Sequence, residues 1–327
     1  MPTRCWGRVK PGRYAKLVSD LMGGFIVEVK VNTKKNNIIK KSAGEKSFDF
    51  VNGLIMICIA LIMLYPMLYV IFASFSDAKE FAKHSGLLIA PAGFSLESYT
   101  LALTNPMLFR GYLNTIIIIV ISVTLSMLLT SLCAYVLSRK NVKLNKFFNI
   151  AIIITMFFNG GMIPFYFTVK GLGHLNSMWS LILPTAISTF NMIILRTSFT
   201  SIPDALVEAA AIDGAGHWTI LFKIVLPISK ATLAVLVLYY AVGCWNSWFN
   251  AMLFIDDRTK YPLQLVLREI LITSDTSSMT AGVSDQEFVG ETIKHAIIVI
   301  STVPILCVYP FLQKYFTKGV MIGSVKG

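Results

Sequence analysis

Glu208-Ala-Ala-Ala-Ile-Asp-Gly-Ala-Gly-His-Trp-Thr-Ile-Leu-Phe-Lys-Ile-Val-Leu-Pro227 lies between two long apolar segments and reads as a compact helix-turn-helix. Just upstream, Ser201 suits an N-cap, Pro203 suits a first turn where its missing N–H costs nothing, and Asp204 sets a carboxylate at the positive end of the helix dipole. Ala205 to Ala211 propagate a helix, and Gly214 and Gly216 supply a permissive backbone for the turn. Trp218, Leu221, Phe222 and Val225 then recur at i, i+3, i+4 and i+7, and Pro227 is expected to end the second helix. The expectation is a short, rigid finger with an acidic tip region and an apolar face. A membrane protein exposes such a finger to be held by a partner. A re-entrant or interfacial hairpin that merely joins two spans would show the same periodicity.

Working outward, the flanking sequence sets the solvent. The 327 residues are 55% hydrophobic and only 14% charged, and the mean hydropathy of +0.68 is too high for one soluble core. Crossing a hydrocarbon core of about 30 Å at about 1.5 Å per residue takes roughly 20 apolar residues. Six runs qualify, near 51–73, 112–137, 147–169, 178–200, 229–252 and 294–316. Helices are expected for all six, because unpaired backbone is prohibitive in lipid and a β-barrel would show short alternating segments. The predicted fold class is therefore all-α and integral to a membrane, with six transmembrane helices.

Charge in the connections orients the spans. Residues 1–50, 138–146, 196–230 and 313–327 carry 21 of the 29 Lys and Arg, leaving 8 for the opposite side, whereas 10 of the 17 acidic residues fall on that opposite side. The basic side is predicted to be cytoplasmic, which puts both termini and the 201–230 loop inside. The formal charge of +12 thus reads as a topology signal. Its basic residues are dispersed and accompany no binding module, so no nucleic-acid partner is expected.

What the spans lack narrows the function. Residues 50–76, 98–203, 214–255 and 292–327 contain no Asp or Glu. Carriers coupled to protons or sodium usually keep ionisable groups at midplane, where burial costs at least about 2.5–3.5 kcal/mol and is tolerated for function. A carbonyl-lined ion site remains open on composition. The chain also has no G-x-x-x-x-G-K-[ST] loop and no G-x-G-x-x-G between strand and helix, so any ATP is expected on another subunit. His84, His174, His217 and His295 are isolated, and Cys5, Cys58, Cys133, Cys244 and Cys307 show no paired spacing, so no metal site is expected and no catalytic residue is assigned.

The finger resembles the EAA loop of ABC importer permeases. The residues that carry the likeness are Glu208, Ala209, Ala210, Gly214, Phe222, Ile224, Leu226 and Pro227. In one departure, Ala231 stands where the family commonly has a second Pro after Leu-Pro, which implies a less sharply broken fifth span. Further likeness over roughly residues 45–327 is to the carbohydrate-uptake permeases of the MalG and LplC/YtcP type. It rests on Tyr135-Val-Leu-Ser-Arg139 with Lys140 and Lys143, Gly160-Gly161-Met-Ile-Pro164, Trp245-Asn246, and the tail Lys318-Gly319-Val-Met-Ile-Gly323-Ser-Val-Lys326-Gly327.

That resemblance implies a type I ABC importer (MetI-like) permease fold in a bacterial cell membrane, transporting oligosaccharides or related sugars. It implies that Glu208, Ala209, Ala210, Asp213, Gly214, Ala215, Phe222, Leu226 and Pro227 engage an ATPase, with Glu208 as acidic contact and Gly214 as turn. Lys318, Gly319, Gly323 and Lys326 would reach the ATPase dimer interface. The implied partners are a second homologous permease, two ATP-binding subunits that hold ATP and Mg, and an external, lipid-anchored sugar-binding protein docking on 74–110 and 253–293. An ATP-independent secondary carrier or channel is the competing class.

Two features bear on a translocation path. Gly160, Gly161 and Pro164 would break the third span, either at a packed kink or along the path itself. Trp245 and Asn246, near Trp248, Phe249 and Asn250, suit either an interfacial aromatic belt or a surface on which sugar rings stack. The expected organisation is a basic arm at 1–46, a six-helix domain at 47–316 containing the 201–230 loop, and a tail at 317–327. The arm reads either as a cytoplasmic segment near anionic lipid or, for 1–26, as untranslated. Gly23-Gly24 can be encoded by a purine-rich GGAGG, with Val27 at the spacing of a start codon.

Overall fold

The computed structural model describes residues 42–280, 290–307 and 310. The arm before residue 42, the Val27 start and the tail residues Lys318, Gly319, Gly323 and Lys326 lie outside the described residues. Among those described, the structure is helical, with a single isolated β-bridge between Ser76 and Phe94. The chain divides into two compact units, at Ile59 and Ala60, within the first helix.

The helices run in order as α1 (Ala43–Ser74), α2 (Ala78–Lys83), α3 (Glu97–Thr104), α4 (Pro106–Ser138), α5 (Asn145–Phe157), α6 (Met162–Gly171) and α7 (Trp179–Ile182). They continue as α8 (Thr189–Thr200), α9 (Asp204–Ile212), α10 (His217–Ile228), α11 (Lys230–Trp245), α12 (Phe249–Phe254), α13 (Leu263–Thr280) and α14 (Gly290–Cys307). At the start of α1 the Glu45 carboxylate reaches back and accepts the Ser42 backbone N–H at 2.9 Å. Asn105 starts α4 by accepting the Met107 N–H at 2.9 Å, with Pro106 in the first turn.

The long helix α4 runs through the molecule's core. Its 33 residues reach ~50 Å, well over a hydrocarbon core. Ile118, Ser122, Ser126, Thr130 and Ala134 recur every fourth residue and are all buried. Such a ridge of mostly small side chains lets neighbouring helices approach closely. Along its length α4 joins three apolar clusters: Leu108 packs with Ala102, Leu263, Leu267 and Ile297, Ile118 with Val169, Ile182, Phe254 and Leu265, and Ala134 and Tyr135 with Leu195, Phe199 and Leu236. Its first turns are pinned to the chain before α13 by polar groups. The Asn114 amide donates to the Thr259 and Tyr261 carbonyls, and Thr115 Oγ1 accepts the Leu263 N–H.

The spans are more broken than the apolar runs suggest. Three are unbroken helices: α1 over 51–73, α4 over 112–137, and α14 over the described part of 294–316. The third run bends by 114° between α5 and α6, where Gly161 adopts φ 88°. The chain also bends by 85° between α10 and α11, and the fifth run stops at Trp245 before resuming as α12. In the fourth, α7 has 4 residues and α8 only 12, or ~18 Å, too short to span alone. Pro184 lies in the break, and Ser188 restarts the helix by accepting the Asn191 N–H. Hydropathy counts apolar residues and does not register where the helical hydrogen-bond ladder is cut.

Candidate functional site

The finger forms, with two differences from the sequence reading. Ser201 does not cap α9; it is the last residue of the preceding turn, and its hydroxyl donates to the Ser198 carbonyl at 2.7 Å. Pro203 takes the N-cap position with an extended ψ of 129°, and its fixed φ leads directly into Asp204. Pro227 does not end the second helix either. It sits inside α10, which continues to Ile228. Residues Leu221–Val225 just before it form a π turn, with the Leu226 N–H reaching back to the Leu221 carbonyl. Widening that turn accommodates the ring of Pro227, which cannot donate to the carbonyl four residues back.

The end of α9 is a Schellman turn. Gly214 lies at φ 84°, the Gly214 N–H bonds the Ala211 carbonyl at 3.1 Å, and the Ala215 N–H bonds the Ala210 carbonyl at 2.9 Å. Asp213 caps the helix and is exposed. Ala210 and Ala215 close the motif by packing against the core beneath.

That core is the seat of the finger. Ile220, Leu221 and Val225 are each 2% exposed or less and lock between α4, α8 and α11 through Ala134, Tyr135, Leu195, Phe199, Ile202 and Leu236. Leu226 packs at the edge. Burying a side chain of this size contributes about 1.5–3 kcal/mol, so three of them hold the finger rigidly to the bundle. The predicted apolar face therefore splits. Leu221 and Val225 face inward, but Trp218 and Phe222 are 66% and 48% exposed and stack on each other with ring centroids 6.0 Å apart. The buried face is centred on Ile220, Leu221 and Val225, which leaves the Trp218 and Phe222 pair outside the packed seat. With Leu206 and Ile212 also exposed, and Glu208, Ala209 and Asp213 beside them, the outer face offers apolar surface with carboxylates around it.

Polar contacts tie the finger to the end of α4. Lys140 Nζ donates to Asp204 Oδ2 at 2.8 Å. That bond holds the Asp204 carboxyl below its usual range and pushes Lys140 up, with Glu208 adding to the latter. The Tyr135 hydroxyl lies 3.3 Å from His217 Nδ1, and the Arg139 guanidinium covers the Tyr135 ring at 4.7 Å. The last carbonyls of α4, which have no partner within the helix, are met by Asn145, donating to Leu137 and Arg139, and by Arg196, donating to Leu137. Apart from the Arg139–Tyr135 contact, which is one helical turn apart, these partnerships could not be read from spacing, since they join residues 6 to 82 positions apart.

The five residues proposed for a path are not brought together. Gly160, Gly161 and Pro164 are exposed at the α5–α6 bend, and the Gly161 N–H is held by the Asn159 side chain. The Trp245 ring packs edge-on against Tyr112, and Asn246 is exposed, its amide donating to its own helix at Val242. A cavity of about 380 Å³ opens elsewhere, between α8 and α11, lined by Thr185, Ser188, Asn191, Tyr239, Gly243 and Asn250 among others. In sequence these were isolated polar residues within apolar runs. Among the described residues, no group of three His, Cys, Asp or Glu could hold a metal ion.

The family described as binding-protein-dependent transport system inner membrane component matches residues 108–322. The chain is 43% identical over 285 residues to the polygalacturonan/rhamnogalacturonan transport system permease protein YtcP of Bacillus subtilis, covering 86% of this chain and 98% of YtcP. It is 43% identical over 282 residues to the LplC protein of the same organism, covering 86% and 95%. The crystal structure of a bacterial ABC transporter involved in the import of the acidic polysaccharide alginate aligns with a TM-score of 0.78 at 31% identity, covering 84% of this chain and 99% of that one. The finger on its buried seat is thus found in a chain whose likeness to such permeases extends along nearly their whole length, and the protein belongs to the binding-protein-dependent transport system inner membrane components, the permease subunits of ABC importers.

Proposed function

We propose that this subunit imports saccharides, and that the finger from Asp204 to Ile228 is the point at which ATPase subunits drive it. One observation carries the reading: a rigid buried seat, Ile220, Leu221 and Val225, stands directly beneath an exposed outer face bearing Glu208, Trp218 and Phe222. A rigid element seated in three helices transmits displacement to all of them, whereas a loosely attached loop would absorb it. The two ATP-binding subunits hold ATP and Mg, a second permease completes the path, and an external binding protein delivers the sugar to 74–110 and 253–293. Both termini face the cytoplasm, in keeping with the charge asymmetry. The tail residues Lys318, Gly319, Gly323 and Lys326 reach the ATPases.

Saccharide import is supported by the names of relatives that act on polygalacturonan and rhamnogalacturonan, trehalose and maltose, and alginate. The polygalacturonan/rhamnogalacturonan permease and the alginate importer together favour an acidic saccharide. The test is co-purification of the tagged chain with its neighbours, with and without Glu208→Lys, followed by an ATPase assay. The wild type is expected to bring down a second permease and an ATPase, and the variant to lose the ATPase. A chain that purifies alone and transports in vesicles without ATP would overturn the reading in favour of a carrier or channel.

A further inference from the structure

Arg268 stands over Trp248, just past the end of α11 that lies away from the finger. From Lys230 to Trp245 that helix covers ~24 Å, so Trp248 is on the outer side when the finger faces the cytoplasm. Leu263, Val266 and Leu267 are each 5% exposed or less and fasten α13 to the core, which leaves Arg268 on the flank of the helix. There its guanidinium carbon sits 4.3 Å from the centre of the Trp248 ring, and Nη1 donates to the sulfur of Met252, one turn along from Trp248. A guanidinium stacked on an indole is held in orientation, so its fork of N–H groups is presented in advance.

The neighbouring charges are already matched. Arg258 pairs with Glu269 and Lys260 with Asp257, each at 3.4 Å. Among the described residues from 246 to 272, Arg268 is the cation that no carboxylate meets. A thioether is only a weak acceptor, so the strongest donor set of this segment is left for something else. The segment also borders the cavity between α8 and α11. Trp248 and Phe249 stand between Ser247 and Asn250, and Pro262 immediately precedes α13, and those three residues line that cavity.

We infer that Arg268 on its Trp248 platform is the element by which this subunit selects acidic saccharides, its guanidinium taking a uronate carboxylate as the sugar enters. The inference rests on the importer reading above and deepens it to the chemistry of the substrate. Guanidinium and carboxylate are both planar and match through two parallel N–H···O bonds. The exposed ring of Phe249, edge-on to Trp248 at 5.6 Å, offers apolar surface to the C–H face of the same sugar. Water competes for both charges at this position, which keeps the grip loose enough for the sugar to move on. A neutral saccharide gains nothing from the cation.

Arg268→Gln and Arg268→Lys are made in the assembled transporter, supplied with its external binding protein. ATP-driven uptake of labelled oligogalacturonide is measured, and ATPase stimulation is titrated against the binding protein. Gln is expected to lower uptake roughly tenfold, the loss of a charged hydrogen bond. Lys should lower it less, because it keeps the charge and loses the fork. The binding-protein concentration that gives half-maximal stimulation should be the same in all three. Normal uptake by the Gln variant would overturn the assignment. So would a loss of uptake matched by a rise in that concentration, which would make Arg268 a contact for the binding protein instead.

Arg268→Cys gives a second readout on one assembled complex. With Cys5, Cys58, Cys133, Cys244 and Cys307 replaced by Ala, an ammonium-bearing methanethiosulfonate added from outside should restore uptake, and a sulfonate-bearing one should not. Equal effects of the two reagents would overturn the assignment and leave the importer reading standing. Wild-type complexes that import a neutral oligosaccharide with ATP but no oligogalacturonide would remove the acidic substrate, and this assignment with it. No ATP-driven uptake of either would remove the importer reading itself.

Discussion

The Tyr135 hydroxyl stands 3.3 Å from His217 Nδ1, so the last turn of α4 is joined to the first residue of α10 across 82 positions of sequence. The same ring carries the Arg139 guanidinium. One aromatic side chain therefore links the long core helix to the finger at His217, while its face carries the cap residue of its own helix. Tyr135→Phe removes only the hydroxyl and is expected to cost about 0.5–1.5 kcal/mol. Tyr135→Ala also deletes a buried ring and is expected to cost about 3–5 kcal/mol. Thermal unfolding of the purified complex should rank the two in that order, and equal losses would show that the hydroxyl carries the whole link.

The two faces of α10 should separate cleanly under mutation. Leu221→Ala empties a site that is 1% exposed and is expected to destabilise by about 2–5 kcal/mol. Phe222→Ala, its neighbour, is 48% exposed and should leave the melting temperature nearly unchanged while weakening capture of the ATPase by about 1 kcal/mol or more. Trp218→Ala should behave like Phe222→Ala. Melting curves and pull-down on the same preparations check both halves.

Gly214 is set by backbone conformation alone, since a Cβ there meets nothing within 4 Å but φ is 84°. Gly214→Asn should be tolerated, because Asn visits the left-handed region with little difficulty. Gly214→Ala is expected to cost about 1–2 kcal/mol, and Gly214→Val more, as a β-branched side chain fits that region poorly. ATPase stimulation by the docking subunit should fall in the same order. A Val variant as active as wild type would show that the turn can be reshaped freely.

The Lys140–Asp204 pair predicts a flat pH response. The hydrogen bond from Lys140 lowers the Asp204 carboxyl, so its contribution is present above the ordinary carboxylate range and is lost as pH falls through the lowered native value. The same bond raises Lys140, whose contribution is lost only as pH rises through its raised native value. Between roughly pH 5 and pH 9 both groups stay charged. The difference in melting temperature between wild type and Asp204→Asn should be constant over that window and shrink in acid. Both side chains are exposed, so the difference should be small and should fade with added salt.

The sequence by itself determined the solvent, the helical class and the finger. Apolar runs, a charge asymmetry between connections and the order Glu208, Gly214, Pro227 are local or additive properties, and each can be summed along the chain without knowing what touches what. Tertiary structure decided the rest. It alone turned Leu221 inward and Trp218 outward, because contacts from α4, α8 and α11 decide which part of an apolar stripe is covered. It placed Trp245 edge-on against Tyr112, and gathered Ser188, Asn191, Tyr239 and Gly243 from two separate segments around one space. A lone polar residue in an apolar run carries no mark of which neighbour it will face, and packing between helices is what supplies that neighbour.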